Sequence, residues 1–235
     1  MKKYLLIYLA SFLFFSCNSN NSKSKENITS KNNGFVLQGE IQNFDADTIY
    51  LNKIIENSIY KIDSSAVFKN NFTFKGVVNV PERFALTFNK NAAVVVLVIE
   101  NSTFKIVINA NEIQDPIITG SELNLKLNEY KQASKNIFKK ISYLFPHFQK
   151  ARLENDAEKL TAIGNDMKKI EKEFTNYSFK FIENNKNSFI AAMVLRDQIK
   201  ASNIDTLKVK ESYQILSDEV KNSPDGLLVK DFLQQ

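Results

Sequence analysis

One thiol, one imidazole and two short runs of acidic and hydroxyl side chains are what this sequence offers for chemistry. The thiol is Cys17 and the imidazole His147, each the sole residue of its type. Asp63-Ser64-Ser65 sets a carboxylate beside two hydroxyls, and with His147 these could form a hydrolytic triad if the fold brought them together. No G-x-S-x-G elbow surrounds either serine. The plainer reading is an Asp63 that bonds backbone amides at a strand end. Asn43, Asp45 and Asp47 place oxygen ligands at alternate positions, as a calcium loop does. Such a loop needs Gly at its sixth position and a carboxylate at its twelfth, where this chain has Thr48 and Ile54. A turn between strands is the expectation. Zinc needs several His and Cys ligands, and a phosphate loop needs clustered glycines, whereas the 6 glycines here are scattered. The sequence therefore predicts no catalytic, cofactor-binding or metal-binding set, and a protein that is not an enzyme.

Cys17 has a second meaning. Lys2 and Lys3 precede an unbroken apolar run, Tyr4 to Phe15, closed by Ser16 and Cys17. A charged start, a greasy middle and a small residue before the cut are the parts of a secretory signal. A lone cysteine directly after the cut resembles the lipid-attachment cysteine of bacterial lipoproteins, although Phe14 and Phe15 stand where those signals usually carry Leu and a small residue. The run falls short of the roughly 20 apolar residues that a membrane span needs. Cleavage elsewhere as a plain signal and retention as an anchor are the alternatives. The lipoprotein resemblance implies that residues 1–16 leave as a signal peptide and that Cys17 is acylated, so that no free thiol remains for a disulfide or a nucleophile. Residues 17–33 then form a lipidated tether. Asn18 to Asn33 is Asn, Ser and Lys with little to bury, a composition expected to be disordered, with a reach of ~20 Å.

Beyond the tether the composition suits a globular body, with 43% hydrophobic and 24% charged residues. Losing Lys2 and Lys3 takes the net charge from +5 to +3 (5 − 2). The remaining cations are scattered rather than striped, which argues against nucleic acid.

From Gly34 to Ile118 the hydrophobic period is two. Phe35, Leu37, Gly39 and Ile41 alternate with polar neighbours, and further strands are predicted over 48–52, 59–62, 66–68, 72–76, 84–88, 92–99 and 103–109. Lys69-Asn70-Asn71 reads as a tight hairpin turn, and Ala92 to Ile99 as a strand covered on both faces. At Gly120 the period changes to 3.6. Ser121 or a neighbour caps a first helix, which Pro146 is expected to kink or end. A second helix over 156–183 carries an unbroken stripe from Leu160 to Phe181 and should pack antiparallel to the first. Ser188 caps a short helix, Asp205 or Thr206 starts another that buries Val209 to Val220, and Ser223-Pro224-Asp225-Gly226 stops it before a last helix or strand over 227–233. The expected fold class is α+β: an antiparallel β-sandwich-like domain over 34–119, then a helical domain over 120–235.

The stretches Phe35-Val36-Leu37-Gln38-Gly39-Glu40-Ile41, Ile49-Tyr50-Leu51, Asp63 to Val67 with Phe72 to Gly76, and Ile117 to Asn124 resemble a domain of unknown function. That module stands at the N-terminus of lipid-anchored periplasmic thioredoxin-like thiol–disulfide oxidoreductases. Asn187 to Ala192 and Asn222 to Gly226 are similar to the stretch that follows in those proteins. In that family a thioredoxin-like domain with a Cys-x-x-Cys pair comes next. No second cysteine occurs here, so the family's redox chemistry carries over to no residue of this chain.

Signal, tether and missing catalytic set together predict a non-enzymatic, lipid-anchored cell-envelope protein, an accessory or binding module without a cofactor. No acidic cluster follows Cys17 to mark surface export, so the expected position faces the periplasm. The resemblance implies a second possibility, a docking subunit or degenerate relative of a periplasmic thiol–disulfide oxidoreductase, with that oxidoreductase as partner. Ligand capture between sheet and helices is a third.

Overall fold

A computed structural model describes residues 34–55, 58–201 and 204–235. The predicted signal peptide, Cys17 and the tether lie outside the described residues. Eight strands come first: β1 (Phe35–Gln42), β2 (Thr48–Ile55), β3 (Ser58–Ala66), β4 (Asn71–Gly76), β5 (Glu82–Phe88), β6 (Val94–Ile99), β7 (Thr103–Asn109) and β8 (Ile117–Thr119). They form two four-stranded sheets, ordered β4-β1-β7-β8 and β3-β2-β5-β6. The period-two residues account for the sandwich: Leu37, Ile41, Phe74, Phe104, Ile106 and Ile108 of one sheet are buried against Ile49, Leu51, Phe84, Leu86 and Leu97 of the other.

The sheets are antiparallel-rich, with one departure from the expected pattern. β1 pairs with β7 in parallel, Val36 opposite Thr103 through Gln42 opposite Asn109. The chain crosses between sheets from β1 to β2, β3 to β4, β4 to β5 and β6 to β7. No hairpin therefore sets the relative direction of β1 and β7, and long connections permit a parallel ladder.

The hairpin between β3 and β4 forms as read. Lys69 (φ 48°) and Asn70 (φ 64°) are both left-handed, and Phe68 pairs with Asn71 around them, as a two-residue primed turn requires. The stretch predicted over 59–62 belongs to a longer strand, β3, which runs through to Ala66 with a bulge opposite Leu51/Asn52, and Val67 and Phe68 of the stretch predicted over 66–68 lie beyond its end. Asp63-Ser64-Ser65 interrupts the apolar pattern without ending the strand, because this edge strand is exposed along nearly its whole length. The bulge blunts that edge, and so does the Asp63 carboxylate, which accepts from the Ser64 amide at 2.7 Å.

Gly39 sits opposite Phe72 across β1 and β4, and the phenyl ring occupies the space a side chain would need. A Cβ at Gly39 would lie 1.9 Å from Phe72 Cζ. Gly39→Ala is expected to displace the ring from the sandwich core and destabilise the protein by about 1–3 kcal/mol. Urea unfolding measures this, and an unchanged midpoint contradicts the packing described.

Among the described residues six helices follow: α1 (Glu122–Leu153), α2 (Ala157–Asn184), α3 (Phe189–Gln198), α4 (Thr206–Ile215), α5 (Asp218–Lys221) and α6 (Pro224–Leu233). Gly120, at φ 85°, turns the chain out of β8, and Ser121 then caps α1 by accepting from the Asn124 amide at 3.1 Å. Pro146 does not end α1, since the helix runs on to Leu153. The carbonyl that Pro146 leaves without an amide belongs to Ser142, which is exposed and can be hydrated. Ser134, the break in the apolar stripe of α1, turns its hydroxyl onto the Tyr130 carbonyl at 2.7 Å.

α1 and α2 pack antiparallel, as rising numbers on one meet falling numbers on the other: Tyr130 with Phe181, Phe138 with Phe174, Lys140 with Glu173. The helix expected from Asp205 through Val220 is divided. Leu216 adopts an extended conformation, and α5 carries Val220 inward separately. Ser223-Pro224-Asp225-Gly226 does more than stop a helix. Ser223 accepts from the Gly226 amide at 3.1 Å and Pro224 occupies the first turn, so the segment starts α6.

The helical part covers the outer face of β5 and β6. Val98 is buried among α1, α2, α3 and α6 residues, while Val95, Leu97 and Ile99 face the sandwich. The expectation that 92–99 is covered on both faces holds at Val98 and fails at Val96, which is 37% exposed.

Candidate functional site

Two features described here join the helices to the second sheet, and each rests on buried polar groups, Asn124 in one and Asp225 with Arg196 in the other. The first is a docking of α1 onto the open edge of β6. Asn124, in the first turn of α1, accepts from the Val98 amide at 2.8 Å and donates to the Val98 carbonyl at 2.7 Å. Its side-chain amide thus stands in for a neighbouring strand. Ser121 holds Asn124 from below and donates a short hydrogen bond to the Glu100 carboxylate.

The second is an ion network. Strand alternation points Phe84 inward and Arg83 outward from β5, towards the helices. Its Nη1 meets both carboxylate oxygens of Asp197 at 2.9 Å. Its Nη2 donates to Asp225 Oδ1 at 2.8 Å and to the Met193 carbonyl at 3.3 Å. Arg196 Nη1 reaches the same Asp225 oxygen at 3.1 Å. Each element places its charge for a local reason. α3 is apolar almost all round and buried, so Arg196 and Asp197 in its last turn are its only charged side chains. Asp225 lies in the first turn of α6, where the helix dipole favours a carboxylate. Burial pulls the Arg83 guanidinium down, but the facing carboxylates of Asp225 and Asp197 outweigh it and leave the group above its ordinary value. Arg83 Nε is buried and makes no hydrogen bond among the described residues.

A cleft of about 340 Å³ opens beside this network, lined by Arg83, Arg196 and Asp225 together with the apolar Ile54, Leu227 and Leu228. At its rim Lys53 pairs with Glu82 at 2.9 Å. Two guanidinium groups balance two carboxylates within the network, and guanidinium stays protonated at any ordinary pH. The arrangement can clamp sheet to helices, and it can present a polar wall to a small solute.

The residues singled out from the sequence for chemistry are not assembled. Asp63 bonds the neighbouring amide, and the Ser65 hydroxyl accepts from the Thr73 amide at 3.2 Å. His147 lies on α1 with its ring 5.6 Å from that of Tyr143. At the turn between β1 and β2, Asn43 (φ 64°) donates to Asn109 Oδ1, and the Asp47 carboxylate takes the Lys90 ammonium at 2.8 Å. That hydrogen bond holds Asp47 below the usual carboxylate range. A cation bound there would have to displace Lys90. Among the described residues no three His, Cys, Asp or Glu side chains converge as a metal site, and no helix is long and apolar enough to cross a membrane.

Arg83, Asp197, Asp225 and Asn124 were not among the residues the sequence singled out for a role in a site. The signal was present: a lone arginine on the outward face of an apolar strand, and a charged pair closing an otherwise apolar helix.

Fold and site together define a two-sheet sandwich clamped to a helical layer by buried polar contacts. Residues 35–127, which run from β1 into the first turns of α1, match a family described as a domain of unknown function (DUF4369). The matched stretch ends just beyond Asn124, so it includes the docking of α1 on β6. No curated protein and no solved structure matches the chain.

Proposed function

We propose that this chain is a non-enzymatic, lipid-anchored protein of the bacterial cell envelope, facing the periplasm and serving as an accessory or binding module. The observation that carries the reading is the opening sequence, Lys2-Lys3, the apolar run to Phe15, then Ser16 and the sole cysteine. Acylation at Cys17 ties the body to a bilayer through the Asn18–Asn33 tether and raises its effective concentration against other membrane-held proteins. The Arg83–Asp225 network fits this role as a clamp that keeps sheet and helices in one register for a partner.

The test is the mass of the protein extracted from its native membranes. The expected result is a chain that starts at Cys17 and carries acyl groups, and a Cys17→Ala variant that leaves the membrane fraction. A native chain with a free thiol at Cys17, or with an earlier start, overturns the anchor. Turnover of ester, peptide or glycan substrates by the purified protein overturns the non-enzymatic reading.

A second reading is a docking subunit or degenerate relative of a periplasmic thioredoxin-like thiol–disulfide oxidoreductase. It is supported by the resemblance of Asn187 to Ala192 and Asn222 to Gly226 to the stretch that follows the module in those proteins. Crosslinking in intact cells followed by mass spectrometry distinguishes the two, since only the second expects a thioredoxin-like protein among the products.

A further inference from the structure

The far half of the α1–α2 hairpin carries an apolar seam that the rest of the body leaves open. Phe138 packs on Phe174 and Lys140 pairs with Glu173, so the antiparallel helices set Ile141 level with Glu171 and Arg152 level with Leu160. At 3.6 residues per turn, Phe138, Ile141, Phe145 and Arg152 fall within a quarter-turn of α1, on the flank where Phe138 meets Phe174. Leu160, Gly164, Met167 and Glu171 fall within a quarter-turn of α2 on that same flank. Both sets follow three-and-four spacing and repeat every seven residues, as the seam of a helix bundle does. Lys139 and Tyr143 lie on the other flank, beside Asp166 and Lys169. Phe145, in the middle of the seam, is 51% exposed. Gly164 stands in the interior of α2, where glycine is among the poorest helix formers. A Cβ added to Gly164 would meet nothing within 4 Å, so packing inside the chain does not call for a glycine there. On an open seam its missing side chain lets a second backbone come close.

The charges on the seam select a second copy of this chain. Arg152 and Glu171 make no ion pair among the described residues, and both are exposed. They mark opposite ends of the seam, eleven residues or about 16 Å apart along the hairpin, with Phe145 and Gly164 between them. Turning a second hairpin over about a two-fold axis at the midpoint brings each Arg152 level with the other copy's Glu171, and one Gly164 close to the other. Such a contact is self-complementary, as a two-fold interface must be. The tip of the second hairpin then ends near Phe138, short of Lys135 and its ion pair with Asp115, and the two bodies lie at opposite ends. Lys168 sits at the rim of the seam, where its ammonium stays in water. We infer that this chain forms an antiparallel dimer in which two α1–α2 hairpins close a four-helix bundle through the Phe145–Gly164 seam. The dimer needs no acyl group at Cys17.

The test is sedimentation equilibrium of the chain from Asn18 onward, which has no cysteine and keeps the whole described body. The expected result is a reversible equilibrium between monomer and dimer. Arg152→Glu and Glu171→Arg should each raise the dimer dissociation constant roughly tenfold or more, and the two together should restore it, because the exchanged charges meet again across the axis. Gly164→Gln should weaken the dimer by roughly tenfold or more while leaving the monomer folded, since its side chain has open space within the chain and glutamine is the better helix former. At concentrations where the parent too is monomeric, the circular dichroism of Gly164→Gln should match that of the parent and its unfolding midpoint should equal or exceed it. A parent that stays monomeric up to about 1 mM, a Gly164→Gln dimer as tight as that of the parent, or a double exchange no tighter than the single reversals overturns the proposal. So does a parent that stays monomeric while this face takes up a helix of another protein. Each of these outcomes leaves the anchor at Cys17 standing, because the anchor is read by mass and not by association.

Discussion

Asp225→Ala destabilises the folded chain by about 3–5 kcal/mol, the usual cost of removing one partner from a buried charge network. Its Oδ1 is the oxygen that Arg83 and Arg196 share, at 2.8 and 3.1 Å. Both Asp225 and Arg196 side chains are only 7% exposed. Without the carboxylate, two guanidinium groups face each other across the junction of β5, α3 and α6. Asp225→Asn keeps the shape and one acceptor but not the charge, and it should recover only part of the loss. Asp197 makes a two-pronged contact with the same Arg83, but its side chain is 47% exposed. Water can take over there, so Asp197→Ala should cost about 1 kcal/mol or less. Equilibrium urea unfolding of the three variants gives the ranking. Asp197→Ala keeps the test open if Asp225→Ala does not fold, since a cost equal to or above that of Asp225→Asn contradicts the burial order on which the clamp rests.

Asn124→Ala is expected to cost about 2–4 kcal/mol, because it strands both the amide and the carbonyl of Val98 in a buried site. Hydrogen bonds at 2.8 and 2.7 Å tie Asn124 to that strand position. Asn124→Asp retains an acceptor for the amide but sets a charge against the Val98 carbonyl, so it should not rescue. Hydrogen exchange at the Val98 amide is the local readout. Protection there should fall in Asn124→Ala more than at Leu97, which faces the sandwich core. Equal protection of Val98 in the parent and the variant would mean that α1 does not close this edge.

The strands were readable where one face is buried and the other wet, as in β1 and β7, because period-two alternation is then forced by the core. The same alternation says nothing about which sheet receives a strand, so the parallel neighbour of β1 was hidden. β3 was read as ending at Ile62 because Asp63-Ser64-Ser65 is polar, although an exposed edge strand tolerates polar residues along its length. The helix starts at Ser121, Asp156, Ser188 and Asp205 were plain, since each supplies a capping oxygen. Ser223-Pro224-Asp225-Gly226 ends one helical stretch and begins the next, and the stop alone was seen. The clamp was the least accessible part. Arg83 lies 114 residues from Asp197 and 142 from Asp225, and no local pattern couples positions so far apart.

The parallel seam between β1 and β7 has a consequence for how the body forms. β1 is the first strand to emerge during synthesis, yet its two neighbours in the sheet, β4 and β7, arrive later, and the second completes only at Asn109. Until then Leu37 and Ile41 have no finished core to enter, and the leading strand waits as a sticky ribbon. Closure of such distant partners is slow compared with local hairpins, so the nascent chain depends on being kept from its neighbours until the seventh strand zips in.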